Sequence, residues 1–170
     1  MQVAQGAAGS TASTSVFRGV THLALDAKGR LAVPARYRDA LTSNGGAPAE
    51  PGGGGLVLTV DPSGCLLLYP RLAWEPIQAR LMALSSFNTE IRRLQRLLVG
   101  HADDVDTDGA GRILVSPALR QYAGLGHRVV LVGQGNKFEL WDETRWQEQT
   151  AQAATFSAGN LPPELDGFSL

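Results

Sequence analysis

The sequence is poor in the residue types from which catalytic and metal sites are usually built. Its 170 residues include one cysteine, Cys65, and three scattered histidines, His22, His101 and His127. A single cysteine cannot close an internal disulfide, which favours a reducing, cytoplasmic compartment. The histidines show no metal-binding spacing, and no nucleophile with a neighbouring base can be assembled. These absences predict a protein that is not an enzyme and that carries no metal and no cofactor.

Long apolar runs and an excess of charge of one sign are also missing. No stretch approaches the roughly 18 apolar residues of a membrane span, so we expect no contact with a membrane. The first residues, MQVAQGAAGSTASTSV, lack the basic start and apolar segment of a secretory signal, and residues 1–16 are predicted to be a disordered extension. A formal net charge of −1 gives no global attraction to nucleic acid. Nucleic-acid binding would therefore need local clusters or several copies acting together.

One motif occurs twice: DAKGRLAVPARYR at 26–38 returns as DGAGRILVSPALR at 108–120. The matching residues are all 82 positions apart, namely Asp26 and Asp108, Gly29 and Gly111, Arg30 and Arg112, Arg38 and Arg120. Aspartate is typical of a turn that it caps, and glycine of a position with positive φ. We therefore predict two equivalent turns, with the arginine paired to the aspartate in each.

The elements around the motif repeat as well, as strand, turn, strand, helix, strand, turn, strand, helix. We assign 17–87 to a first copy, 88–100 to a connecting helix capped by Asn88, 101–154 to a second copy and 155–170 to a flexible tail. Local hairpins are expected around each turn, and the glycine-rich stretch 42–55 is expected to be a flexible loop. A unit of ~60–70 residues has a marginal core of its own, so the copies gain by sharing one. The predicted class is α+β, mainly β, with short helices.

The two copies differ in charge. Residues 26–38 carry Lys28, Arg30, Arg36 and Arg38 against Asp26, a net +3, whereas 103–120 carry two arginines against four aspartates, a net −2. A turn needs no additional cations, so the first copy favours an anionic partner. The acidic run from Asp104 to Gly109 resembles the start of a calcium loop, but Val115 stands where a glutamate is required. A solvated acidic turn is the better interpretation.

The quoted motifs, with FRG at 17–19, resemble those of the MraZ family of bacterial transcriptional regulators over Phe17 to about Ala154. That family belongs to the AbrB/MazE/SpoVT-like swapped-hairpin superfamily. The resemblance implies a tandem swapped-hairpin barrel formed by the two internal repeats, and assembly into a ring-shaped homo-oligomer. It also implies a nucleoid-associated regulator that represses its own division and cell-wall gene cluster by binding direct repeats of double-stranded promoter DNA.

Residue roles follow from the same resemblance. The DNA-binding candidates are Lys28, Arg30, Arg36, Arg38, Arg112 and Arg120, and the turn-structural residues are Asp26, Gly29, Asp108 and Gly111. The alternative function is an antitoxin-like or other protein-interaction module of the same superfamily, which a stable non-self partner would indicate.

Val16 stands directly before FRG, where the family normally has its starting methionine, and valine is what an internal GTG start codon would appear to encode. We therefore hypothesise that translation begins at Val16 and that residues 1–15 are not made. The intact mass of the native protein tests this hypothesis.

Overall fold

The structure, a computed structural model, describes residues 16–44, 55–154, 162–165 and 167. The strands are β1 (Phe17–Ala24), β2 (Arg30–Ala32), β3 (Leu56–Val60), β4 (Leu66–Pro70), β5 (Asp103–Val105), β6 (Arg112–Leu114), β7 (Arg128–Gly135) and β8 (Phe138–Asp142). The helices are α1 (Ala35–Asn44), α2 (Arg71–Ala83), α3 (Thr89–Leu98), α4 (Pro117–Ala123) and α5 (Glu143–Ala153), followed by a 3₁₀ turn at Pro163–Leu165. The mixed α+β class is confirmed.

The strands of the two copies pair mainly with each other. One antiparallel sheet has the order β1-β7-β8-β4-β3-β5, and β2 and β6 form a second sheet of two strands. Four of these pairings join a first-copy strand to a second-copy strand: β1 with β7, β8 with β4, β3 with β5, and β2 with β6. Neither copy is therefore complete without the other.

The expected local hairpins around the repeated turns do not extend beyond the turns themselves. In the described part of the chain, Leu25 and Leu31 form an isolated bridge, and β2 then pairs with β6, with Leu31 opposite Ile113. Likewise β5 pairs with β3 and leaves β6 to β2. The physical reason is burial, since Leu31 and Ile113 are both fully buried where the two short strands meet.

The hairpins with ordinary turn chemistry form as expected. Between β3 and β4, Gly64 has φ +93° and its N–H donates to the Asp61 carbonyl at 2.9 Å. The connection between β7 and β8 is also a tight antiparallel hairpin. Local turn residues therefore specify these two pairings.

The larger core cluster is shared by both copies. It contains Leu31 and Val33 from the first copy and Ile113, Val115 and Phe138 from the second, none of them with exposed surface. A smaller cluster lies under α2 and α5, where Tyr69 packs on Trp74 and Trp141 on Trp146, with ring centroids 5.5 and 6.3 Å apart. The aromatic pairs five residues apart are thus ring contacts in both copies.

Several predicted boundaries need correction or fall outside the description. Thr42 to Asn44 belong to α1, and were wrongly assigned to the glycine-rich loop, whose residues 45–54 lie outside the described ranges. The predicted extension lies outside them too, apart from Val16, as does most of the predicted tail. Asn88 caps α3 as expected, because its side chain accepts the N–H groups of Glu90 and Ile91.

Candidate nucleic-acid interface

The first tip, Asp26–Arg30, is built around one carboxylate. Asp26 Oδ1 accepts the backbone N–H groups of Lys28 and Arg30, both at 2.9 Å. Its Oδ2 accepts Arg30 Nε at 2.7 Å, and Gly29 closes the turn with φ +78°. Arg30 is therefore oriented by the turn, with its side chain 31% exposed.

The second tip, Asp108–Arg112, has the same geometry. Asp108 Oδ1 accepts the N–H groups of Ala110 and Arg112, both at 2.9 Å, and Oδ2 accepts Arg112 Nε at 2.9 Å. Gly111 has φ +72°. Ala110 stands at the position that Lys28 holds in the first tip. The two tips thus share a backbone and differ in charge.

Both aspartates are held in their charged form. The backbone N–H of Arg30 is the largest cause that lowers the pKa of Asp26; desolvation opposes it, and the Arg30 side chain and the Lys28 N–H add to the lowering, so that the pKa lies below its ordinary value. The Arg112 N–H lowers the pKa of Asp108 in the same way. Each ion pair is therefore intact at neutral pH.

The motif arginines at the end of each repeat cross to the opposite tip. Arg120, on α4 of the second copy, lies against Gly29 of the first tip. Arg38, on α1 of the first copy, lies correspondingly against Gly111 of the second tip. Each of these arginines therefore lies at the tip of the other copy and not at the tip that is closer to it in sequence.

This exchange reduces the charge difference between the two tips but does not reverse it. The first tip with Arg120 has Lys28 and Arg30 as further cations against Asp26, a net +2. Over the matching windows 24–30 and 106–112 the first count stays at +2, whereas the second, with Arg38, has two cations against Asp106 and Asp108, a net of zero. The first tip is the more cationic of the two.

Arg36 is not part of either tip. Its Nη2 donates to Thr21 Oγ1 at 2.6 Å, and its guanidinium stacks on the Tyr37 ring at 4.7 Å. Thr21 precedes Asp26 by five residues, a span on the order of 16 Å along an extended strand. Arg18, absent from the predicted set, is also exposed on β1, and its carbonyl accepts the Tyr37 hydroxyl at 2.8 Å. Arg36 and Thr21 are 15 residues apart within the first copy, so only the packing of α1 against β1 shows this second basic area.

The remaining candidate chemistry gives no further site. Burial raises the pKa of the Cys65 thiol to about 12. The side chain is fully buried and acts as a small apolar residue of the core. In the described ranges, no group of three or more His, Cys, Asp or Glu side chains could hold a metal ion. The helices that are described include none with the length and apolar character to span a bilayer.

Two copies of a carboxylate-centred turn, completed by strands exchanged between the copies, define a protein of tandem-repeat architecture with one cationic tip. A sequence profile described as "MraZ protein, putative antitoxin-like" matches residues 16–97 and again 98–165. The chain belongs to the MraZ family.

Curated relatives are similar over nearly their whole length. The protein named Transcriptional regulator MraZ from Nitrosomonas eutropha is 55% identical over 155 residues, which cover 91% of this chain and 100% of the relative. Proteins of the same name from Methylobacillus flagellatus and Escherichia coli O9:H4 are 57% and 50% identical, with the same coverage of both chains. The resemblance predicted from the motifs is confirmed.

Proposed function

We propose that this protein is a transcriptional regulator that binds double-stranded DNA through the first tip. Its targets are direct repeats in the promoter of its own division and cell-wall gene cluster, which it represses as a ring-shaped homo-oligomer in the cytoplasm, at the nucleoid. The names of its relatives support the regulatory role. The strand exchange between copies supports the swapped-hairpin barrel of the superfamily.

The observation that carries the proposal is the charge difference between two turns of equal geometry. Lys28 is exposed at the first tip, whereas Ala110 takes its place at the second. A cationic tip on a rigid turn suits phosphate contact, and arginine suits the acceptor edge of guanine. Because Asp26 orients the Arg30 guanidinium, the tip is preorganised for such a contact.

One weakly charged tip binds DNA weakly, so several tips acting together are part of the proposal. Linked sites gain ~10²–10⁴-fold when their geometry permits simultaneous contact. An exposed apolar patch supports self-association: Met82, Leu84, Phe87 and Leu94 are exposed where α2 leads into α3. Gln95 holds these segments together by donating to the Leu81 carbonyl at 2.8 Å. A contact between unlike surfaces of neighbouring molecules gives a ring when the rotation from one molecule to the next closes.

The test compares two arginines in matched positions. Arg30→Ala and Arg112→Ala each remove one positive charge and one arginine–aspartate ion pair, the first variant at the first tip and the second at the second tip. Arg30→Ala is expected to abolish binding to DNA from upstream of the protein's own gene, whereas Arg112→Ala retains most of it. Fluorescence anisotropy over a salt series measures both, with unrelated DNA of equal length as competitor.

Salt provides the second readout of the same experiment. The slope of log affinity against log salt changes by ~0.9 for each phosphate that the variant no longer neutralises. Wild-type strength in Arg30→Ala, or binding by the wild type that salt does not weaken, would refute the proposed interface.

A further inference from the structure

The two arginines that cross between the copies carry an inference that rests on the proposed function. We propose that Arg120 is a positioning residue: it holds the cationic first tip in its binding conformation without itself contacting DNA. Arg38 has the same mechanical role at the second tip. This assignment replaces direct DNA contact for both residues.

Arg120 reaches the first tip through three linked contacts. A Cβ built on Gly29 would lie 2.7 Å from both Nε and Cζ of Arg120, so the guanidinium rests on the bare face of the glycine. Arg120 Nε donates to the Val115 carbonyl at 3.1 Å, and the Val115 N–H donates to the Gly29 carbonyl at 2.9 Å. Arg120 and Val115 of the second copy thus contact each other and also Gly29 in the turn of the first copy.

The same arrangement is found at the second tip. Arg38 Nε donates to the Val33 carbonyl at 2.8 Å, and the Val33 N–H donates to the Gly111 carbonyl at 3.0 Å. The second tip has alanine in place of lysine, yet it keeps the arginine. An arrangement that persists where the cationic tip is absent serves the turn, and only at the first tip does it support a surface suited to DNA.

The chemistry of the contact favours arginine specifically. A planar guanidinium can lie flat on a glycine and donate in its plane, whereas the ammonium of lysine is a compact point charge. Because Arg120 Nε already donates to a backbone carbonyl, a lysine at this position would keep the charge but lose the support. Charge and support can therefore be separated by one conservative substitution.

The experiment uses the full chain with Arg120→Ala and Arg120→Lys, and with the matched variants Arg38→Ala and Arg38→Lys. Affinity is measured for the DNA upstream of the protein's own gene, and hydrogen exchange is followed at both tips. Arg120→Ala is expected to weaken binding by about tenfold, since a loosened tip must be ordered at binding. Arg120→Lys should not restore affinity, the salt slope should stay that of the wild type, and Arg38→Ala should bind nearly normally.

Hydrogen exchange tests the positioning role without DNA. Exchange should accelerate across 26–30 in Arg120→Lys and across 108–112 in Arg38→Lys, each with the other tip unchanged. Unchanged exchange, restored affinity in Arg120→Lys, or equal losses of affinity in Arg120→Ala and Arg38→Ala would overturn the inference. Failure of the wild type to bind DNA would instead contradict the proposed function, and the exchange data would still decide the role of Arg120.

Discussion

Asp26 and Asp108 each organise a complete turn with one side chain. Each accepts two backbone N–H groups through one oxygen and an arginine Nε through the other. Hydrogen bonds to a charged carboxylate are stronger than those between neutral groups. The stability of each tip therefore depends on that carboxylate being ionised.

This dependence predicts a pH effect for Asp26→Asn. The folded-state pKa of Asp26 lies below its ordinary value of 3.8, so its contribution is present above about that pH and is lost as the pH falls through the folded pKa. The wild type should exceed Asp26→Asn in free energy of unfolding at neutral pH, and the difference should shrink below pH ~4. Urea unfolding from pH 7 to pH 3 measures it, with Asp108→Asn as the matched variant. A difference that stays constant with pH would contradict this dependence.

The sequence alone predicted which residues form the turns, because aspartate, glycine and arginine act within five positions of each other. It could not predict the partners of Arg38 and Arg120. Both stand in the same motif as a tip, yet each lies on the glycine of the other tip. Charge counted along the chain therefore overstated the difference between the tips.

The short strands β2 and β6, of three residues each, join the two copies in a two-stranded sheet. Strands this short gain little from backbone pairing alone, so burial of Leu31 and Ile113 must specify their register. The β3–β4 hairpin was predictable because its turn lies between its strands. The pairing of β2 with β6 was not, since its partners are 82 residues apart in the repeat.

A double-mutant cycle tests this pairing. Leu31→Ala should cost ~2–5 kcal/mol and Ile113→Val ~0.5–1.5 kcal/mol of unfolding free energy. Because the two residues are opposite each other, we expect a coupling of about 0.5 kcal/mol or more. Leu31→Ala combined with Val130→Ala, in the smaller cluster, should be additive. Chemical denaturation gives all values, and additivity of the first pair would count against the observed register.

The molecule as a whole depends on both copies. Four strand pairings and the larger core cluster cross the boundary between residues 97 and 98. The marginal size of each repeat predicted a shared core, but periodicity could not show that strands would be exchanged. The exchange was implied by the family resemblance.

Separate production of residues 16–97 and 98–165 tests this dependence. Each half alone should lack a cooperative thermal transition, because its strands have lost their partners and part of their core. A mixture of the two halves should regain a cooperative thermal transition. Circular dichroism measures the transition, with the intact chain as control. A cooperative transition in either isolated half would show that the copies fold independently.

Assembly is a further property of the whole molecule. Phe87, with 98% of its surface exposed, is expected to lie in the contact between neighbouring molecules of the assembly. Phe87→Ser combined with Leu94→Ser should lower the mass of the particle in native mass spectrometry. Val20→Ser, an exposed apolar residue on β1, is the control and should leave the mass unchanged. Equal masses for all three proteins would place the contact elsewhere.

Two tips of one shape are thus proposed to differ in their use, with only the first one meeting DNA. Hydrogen exchange of the unaltered protein, with and without DNA from upstream of its own gene, distinguishes the two tips in a single experiment. We expect slower exchange across residues 26–30 when DNA is bound, and little change across 108–112. Protection confined to 108–112, or equal protection at both tips, would contradict the proposed use of the first tip.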